Sequence, residues 1–171
     1  MIIKMLGMGI VMLSSTLIGL SFAECMASRE RELLNLADGI EHIINELSYT
    51  MAPVKEIVLN TASGVRGVAG DMFTLMCQRI EKGDTVGEAW TYSLNKKAPA
   101  MSLKKEDADY LALCSSLFDA YEIAEQKTRL TTLKGKLIYL ASEASETKKK
   151  NSKVVKMLGV YGGVLLCVII F

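Results

Sequence analysis

The residues best suited to chemistry in this 171-residue chain are one histidine and four cysteines. His42 falls on the polar side of a predicted helix, where it is expected to be a surface imidazole, and a metal site there would need ligands from elsewhere. The cysteines, at positions 25, 77, 114 and 167, form neither a Cys-x-x-Cys pair nor a disulfide framework. We therefore expect no metal ion, no cofactor and reduced thiols.

Two glycine patterns share part of the spacing of phosphate-binding loops. The pair Gly135-Lys136 lacks both the upstream glycine and the following Ser or Thr of a P-loop. Gly64, Gly67 and Gly70 follow a predicted helix rather than a strand. We interpret these three glycines as a flexible connection between helices.

Carboxylates recur in pairs three residues apart, as in Glu122 with Glu125 and Glu143 with Glu146. Such spacing is typical of the solvated face of an amphipathic helix. No histidine, cysteine cluster or glycine loop accompanies them, so we predict no catalytic residues and no enzymatic activity.

The elements that carry these residues are predicted to be helices. Hydrophobic residues make up 50% of the chain, only two prolines occur, and alternating β-branched runs are scarce. The net charge of +1 does not favour a nucleic-acid binder. The expected fold class is all-α, an antiparallel bundle of about six helices between an N-terminal and a C-terminal transmembrane helix.

The first apolar segment, Met5–Ala23, contains 19 uncharged residues after Lys4. That is long enough to span a bilayer, and we place the transmembrane helix at 3–23. Ser21-Phe22-Ala23 before Glu24 is also compatible with signal-peptidase cleavage, which would release the remainder outside the cell. We favour an anchor because the apolar run exceeds the usual length of a signal core.

The last segment pairs a basic cluster with an uncharged end. Val154 and Val155 extend the apolar run Met157–Phe171, and we place the second transmembrane helix at 154–171. The cluster lies at the predicted membrane interface and can attract anionic lipid; it comprises Lys148, Lys149, Lys150, Lys153 and Lys156. Because the positive charges flank the centre, the positive-inside rule places residues 26–150 in the cytoplasm as a helical bundle.

Small residues four apart in each predicted span would let the two helices approach closely. They are Ser15 and Gly19 in the first span, and Gly159 and Gly163 in the second.

Within the predicted bundle, Arg29–Tyr49 has apolar residues at helical spacing. We assign Arg31 and Glu32 to its polar side, together with Asn35, Asp38, Glu41, His42, Asn45 and Glu46. Glu46 and Tyr49 are candidates for a partner surface or, alternatively, for packing within the bundle. Trp90 belongs to the apolar stripe of a later helix and is expected in the core.

Local signals divide the rest of the bundle. Pro53 begins a helix, Met72–Ile80 is a short helix, and Thr85 with Glu88 predicts a capping box. Ser102 is expected to cap a helix whose apolar side is Leu111, Cys114, Leu117, Phe118 and Tyr121. The longest helix should run from Ile123 to about Glu146 and continue into the second span.

Several segments together resemble the stage III sporulation protein AB family. They are Arg29-Glu30-Arg31-Glu32-Leu33, Asn45-Glu46-Leu47-Ser48-Tyr49 with Pro53 and Val54, Glu88-Ala89-Trp90, the stretch with Asp119, Glu125 and Gln126, and Lys156-Met157-Leu158-Gly159-Val160-Tyr161-Gly162-Gly163 with its apolar tail. One departure is Leu117-Phe118, where the family tends to have Leu-Gly.

The resemblance implies a cytoplasmic helical domain similar to the platform proteins of type II secretion and type IV pilus systems. It implies a place in the mother-cell membrane around the forespore, where the chain would dock a secretion-type ATPase, the sister sporulation protein AA, alongside other channel components. It implies a non-enzymatic platform and leaves homo-oligomer formation open. Two alternatives also stay open: a membrane-tethered regulator or sensor that binds a soluble ligand or partner, and a secreted helical protein if the first segment is cleaved.

Overall fold

In the part of the chain that the structure describes, six α-helices and one 3₁₀ helix follow one another. The computed structural model describes residues 2–50, 52–118 and 122–170, with side chains at 7, 9–50, 52–118, 122–151, 154, 157 and 161. The helices are α1 (Ile2–Thr50), α2 (Val54–Thr61), α3 (Gly67–Glu81), α4 (Val86–Lys97), α5 (Lys105–Leu113), the 3₁₀ helix (Cys114–Phe118) and α6 (Ile123–Ile170). No strand occurs among the described residues, and the predicted all-α fold is confirmed.

The chain divides into two compact units. One unit comprises residues 1–28 with 143–171, and the other comprises residues 29–142. Helices α1 and α6 each contribute to both units without a break, as the sequence predicts.

In the first unit, α1 presents large apolar side chains outward. Leu13 is 66% exposed and Leu17 is 62% exposed, whereas Gly19 and Ala23 are buried. Of the described residues, one helix, beginning at Gly9 in this segment, is long and apolar enough to cross a membrane. An uncharged helix with exposed leucines is what a lipid environment requires.

The second unit packs around Trp90, which is fully buried as predicted. Its indole ring lies 6.3 Å from the ring centre of Phe73 and 5.1 Å from that of Phe118. The indole nitrogen donates a hydrogen bond to the carbonyl of Leu111 at 2.7 Å. This bond satisfies the polar atom of the largest core side chain, as buried tryptophan requires.

The predicted apolar stripe of α1 is buried along its whole length: Leu33, Leu36, Ala37, Ile40, Ile43, Ile44 and Leu47. The predicted polar side is wrong at one position, because Glu32 is only 1% exposed. Arg29, four residues before Leu33, is also buried. Both charges take part in contacts between helices.

Helix α3 begins earlier than predicted, at Gly67 instead of Met72, so the expected glycine connection is wrong at Gly67 and Gly70. Gly67 adopts a left-handed φ of 71°, which glycine tolerates. At Gly70, a Cβ atom would collide with the backbone carbonyl of Val65. The glycines therefore allow close packing at the start of a helix.

Helix α5 corrects a second prediction. Ser102 does not cap it; this residue has a φ of 57°, and the helix begins at Lys105. Asp107 performs the capping role by accepting a hydrogen bond from the Lys104 backbone N–H at 3.2 Å. The α-helix ends at Leu113 and tightens into the 3₁₀ helix, and Tyr121 lies outside the described residues.

Helix α4 begins at the predicted capping box. Thr85 Oγ1 accepts from the Glu88 backbone N–H at 3.2 Å, and Glu88 Oε2 accepts from the Thr85 N–H at 2.9 Å. This prediction is confirmed because the motif is local: both partners lie within one turn.

Candidate functional site

An ion pair in the second unit is buried on both sides. Arg29 Nε donates to Asp107 Oδ2 at 2.8 Å, and both side chains are less than 10% exposed. Because Asp107 also accepts from the Lys104 N–H, one carboxylate both starts α5 and holds it to α1. A charge pair buried this deeply needs such additional hydrogen bonds to offset desolvation.

Glu32 forms a second link, between α1 and α3. Its Oε2 accepts from the Ala69 backbone N–H at 2.9 Å, which places a negative charge at the N-terminal end of α3. Asn35 Nδ2 and Arg31 Nε also approach this carboxylate, each at 3.5 Å. The carboxylate is buried between helices, so its role is to build the bundle.

The sequence-based predictions include neither of these two links, although the position of Arg29 indicates one of them. Arg29 precedes Leu33 by four residues and thus lies on the same side of the helix as the apolar stripe. A charged residue at a core position predicts a buried partner. The identity of that partner, Asp107, depends on the tertiary fold.

The candidate partner residues Glu46 and Tyr49 lie three residues apart on α1. Tyr49 is 86% exposed and Glu46 is half-buried. An aromatic ring this exposed suits an interface, and the assignment stays a prediction.

Of the membrane-interface lysines, Lys148 is half-buried, and Lys149 and Lys150 are exposed. The side chains of Lys153 and Lys156 lie outside the described set. Among the span-packing residues, Ser15 is half-buried and Gly19 is buried in α1. The surroundings of Gly159 and Gly163 are not described, so span packing stays a prediction.

The groups that could do chemistry are dispersed. His42 is exposed, and no three His, Cys, Asp or Glu residues among those described are arranged to hold a metal ion. Burial raises the pKa of the Cys114 thiol and, with help from Glu81, that of Cys77. Raised pKa values leave these thiols protonated at neutral pH, which disfavours a nucleophilic role.

Among the described residues of the second unit, a polar and an apolar surface depression can be distinguished. The polar one, of about 770 Å³, is lined by Arg79, Asp84 and Tyr92, among others. There, Arg79 pairs with Asp84 at 2.6 Å and stacks 4.4 Å from the ring centre of Tyr92. An apolar groove of about 330 Å³ lies between α5, the 3₁₀ helix and α6.

In the polar depression the charged lining residues Arg79 and Asp84 are paired with each other, whereas the groove is lined mainly by apolar side chains. The described part of the chain thus defines a class: an all-helical bundle with an apolar N-terminal helix and, among the described residues, no cluster that could hold a metal ion.

Comparison with known proteins agrees with the predicted resemblance. The family model of Stage III sporulation protein AB matches residues 4–171, and the chain belongs to this family. The description of the family is that of a sporulation protein.

Two relatives support this assignment. Stage III sporulation protein AB of Bacillus subtilis (strain 168) is 23% identical over 169 residues, which cover 98% of this chain and 99% of that protein. A solved structure of Stage III sporulation protein AB superposes with a TM-score of 0.64 at 18% identity. It covers 72% of this chain and 98% of its own, and it shows that the fold is shared.

Proposed function

We propose that this chain is a non-enzymatic platform of a secretion-like channel complex, anchored in the mother-cell membrane around the forespore. In this proposal residues 3–23 and 154–171 cross the membrane, and residues 26–150 form a cytoplasmic helical bundle. The bundle docks a secretion-type ATPase, stage III sporulation protein AA, and meets other channel components.

The observation that carries the proposal is the unbroken helix α1. Its first part exposes large apolar side chains, and its last part buries an apolar stripe in the bundle. A chain built this way can hold a folded domain at a membrane. Family membership supplies the sporulation setting.

The lysine cluster supports the orientation. Lys149 and Lys150 are exposed on α6, where they are available to anionic headgroups. Together with Arg29 and Arg31, which follow the first proposed span in the sequence, the cluster puts positive charge in the region that the positive-inside rule assigns to the cytoplasm.

Cysteine labelling tests the topology. Single cysteines would be placed at Asn60, which is exposed, and at Lys97, which is half-buried, in a chain that lacks the native four. We expect both to resist a membrane-impermeant maleimide in intact mother cells and to react after lysis. Labelling before lysis would place the bundle outside and would overturn docking of a cytoplasmic ATPase.

Co-purification tests the partner. The full chain in detergent should retain purified stage III sporulation protein AA. The double variant Glu46→Lys with Tyr49→Ala should retain less if these residues form the contact, and Glu81→Lys, exposed at the end of α3, is the matched control. Failure of the unmodified chain to retain the ATPase would refute docking.

A further inference from the structure

The outward side of α6 within the second unit is uncharged. Opposite the buried residues Leu130, Leu133 and Leu137 lies a set of exposed residues that we call the α6 face: Thr128, Thr131, Thr132, Gly135, Ile138, Tyr139 and Ser142. Tyr139 is 60% exposed and Ile138 is 45% exposed. The most solvated side of an amphipathic helix is normally charged, so this composition calls for an explanation.

Cations border the α6 face on both sides. By helical spacing, Lys127 and Lys134 lie on one border, and Arg129 and Lys136 lie on the other, where Glu125 also lies one turn before Arg129. No Asp or Glu occurs from 126 to 142, although residues 29–142 contain 16 acidic and 14 basic side chains. Lys134 pairs with Glu41 of α1 at 2.6 Å, and Arg129 pairs with Glu125, whereas Lys127 and Lys136 have no carboxylate within bonding distance among the described residues.

The apolar groove adjoins the α6 face at Thr132. It is lined by Leu117 and Leu133 and bordered by Leu113, which is 79% exposed. Lys136 joins the two areas, because its Nζ lies 4.9 Å from the ring centre of Tyr139 and 5.4 Å from that of Tyr110. The face and the groove therefore form one continuous surface with cations along its edges.

Gly135 lies in the middle of this surface. A Cβ atom at this position would meet nothing within 4 Å, so packing inside the bundle does not require a glycine there. Glycine and threonine are also poor helix formers in an exposed helix interior. Small side chains in this place allow the backbone of a second helix to approach closely.

We propose that the α6 face and the adjoining groove bind an amphipathic helix of a partner protein whose apolar side is bordered by Asp and Glu. Apolar side chains of that helix enter the groove beside Leu113, and its carboxylates pair with Lys127 and Lys136. This inference rests on the proposed function in one respect only, namely that the chain is part of an assembled complex.

Charge and composition decide between occupants. Two α6 faces against each other would bring like charges together, which disfavours a second copy in this place. The face has only two large apolar side chains, Ile138 and Tyr139, which is too little for insertion into lipid as an interfacial helix. A partner helix with acidic borders complements both the cations at the edges of the face and its small apolar area.

Protection of an introduced cysteine tests the proposal. Gly135→Cys and Thr128→Cys place thiols on the face, and Asn60→Cys is the control, each in the chain lacking native cysteines. A membrane-permeant maleimide would be applied to sporulating cells and to non-sporulating cells that express this chain alone. We expect at least fivefold slower labelling of the two face cysteines in sporulating cells only.

Each other outcome counts against the proposal. Equal labelling of the three cysteines in sporulating cells would overturn it. Protection already present when this chain is expressed alone would overturn it in favour of a second copy or a lipid surface. Retention of the ATPase by the purified chain tests the proposed function in a separate experiment. A failure of the cysteine protection is therefore distinguishable from a failure of ATPase docking.

Charge reversal tests the chemistry of the partner. Lys127→Glu with Lys136→Glu should abolish the protection of the thiol introduced by Gly135→Cys and lower spore yield at least tenfold. The matched pair Lys82→Glu with Lys96→Glu, exposed elsewhere on the bundle, should leave the protection and the spore yield unchanged.

Gly135→Leu should lower spore yield, whereas the melting temperature of the purified chain should be no lower than that of the parent. This combination distinguishes a blocked surface from a failed fold. Unchanged protection after charge reversal would exclude an acidic partner.

Discussion

At the scale of single residues, breaking the Arg29–Asp107 pair is expected to destabilise the bundle. Replacing Asp107 by Asn removes the carboxylate that pairs with the buried Arg29 and weakens the cap of α5. Removing one member of a buried pair destabilises by about 3–5 kcal/mol, so we predict a loss near this range for Asp107→Asn. Urea unfolding of the full chain in detergent, followed by circular dichroism, would measure it.

The control for this prediction is Asp109→Asn, two residues away at an exposed position. A surface substitution of this kind should change the free energy of unfolding by less than about 0.5 kcal/mol. Equal effects of the two substitutions would contradict the assigned role of Asp107.

The capping box predicts a pH dependence. Hydrogen bonds from the Thr85 backbone and hydroxyl hold the pKa of Glu88 below its usual value of 4.5. Because the folded state prefers the ionised form, this contribution is fully present above pH 4.5 and is lost as the pH falls through the lowered folded-state pKa. As the pH falls below 4.5, the melting temperature of Glu88→Gln should therefore decrease less than that of the parent. Thermal melts across this pH range would measure it, and an identical dependence of melting temperature on pH would count against the prediction.

Native thiols should differ in their reaction rates. Cys25 is exposed, whereas burial raises the pKa of both Cys77 and Cys114. We expect iodoacetamide at neutral pH to modify Cys25 first, with Cys77 and Cys114 reacting several times more slowly until the chain is unfolded. Peptide mass mapping at short times would check the order, and faster modification of Cys114 than of Cys25 would contradict it.

At the scale of elements, two helical glycines should respond in opposite directions to alanine. Gly135 has open space around it, so Gly135→Ala should stabilise α6 by about 1 kcal/mol. Gly70→Ala should destabilise the bundle, because the new methyl group meets the Val65 carbonyl. Thermal melts of both variants would test this prediction. A higher melting temperature for both variants would contradict the close approach at Gly70.

The ends of helices show where sequence reasoning succeeds. The start of α4 is predictable because Thr85 and Glu88 bind each other within one turn. The start of α3 is not, because Glu32 lies 37 residues before Ala69 in the sequence and the two meet only in the fold. Similarly, Ser102 is a plausible cap by residue type, but Asp107 performs that role.

Candidate surfaces are harder to predict than the core. The apolar spacing of α1 identifies buried positions directly, and Trp90 is correctly placed in the core. Hydrophobic spacing in the sequence does not reveal the α6 face, since this face consists mainly of threonine, glycine and serine. Only the exposure of Ile138 and Tyr139, together with the groove beside Leu113, makes it visible.

At the scale of the whole molecule, the proposed anchors predict membrane retention. The full chain should stay in the membrane fraction after alkaline carbonate extraction, because both proposed spans, 3–23 and 154–171, are uncharged apart from Lys4 and Lys156. A variant with both segments deleted should move to the soluble fraction. Release of the full chain by carbonate would contradict the two-anchor arrangement.

The link between Glu32 and Ala69 also has a consequence for the order of folding. The first turn of α3 is stabilised by a carboxylate from α1, which leaves the ribosome before α3 does. The partner of Arg29 is synthesised 78 residues later, at Asp107. The helices can therefore assemble during synthesis in chain order: α1 forms first, α3 docks on Glu32, α5 brings Asp107 to Arg29, and α6 then completes the core with Leu130, Leu133 and Leu137.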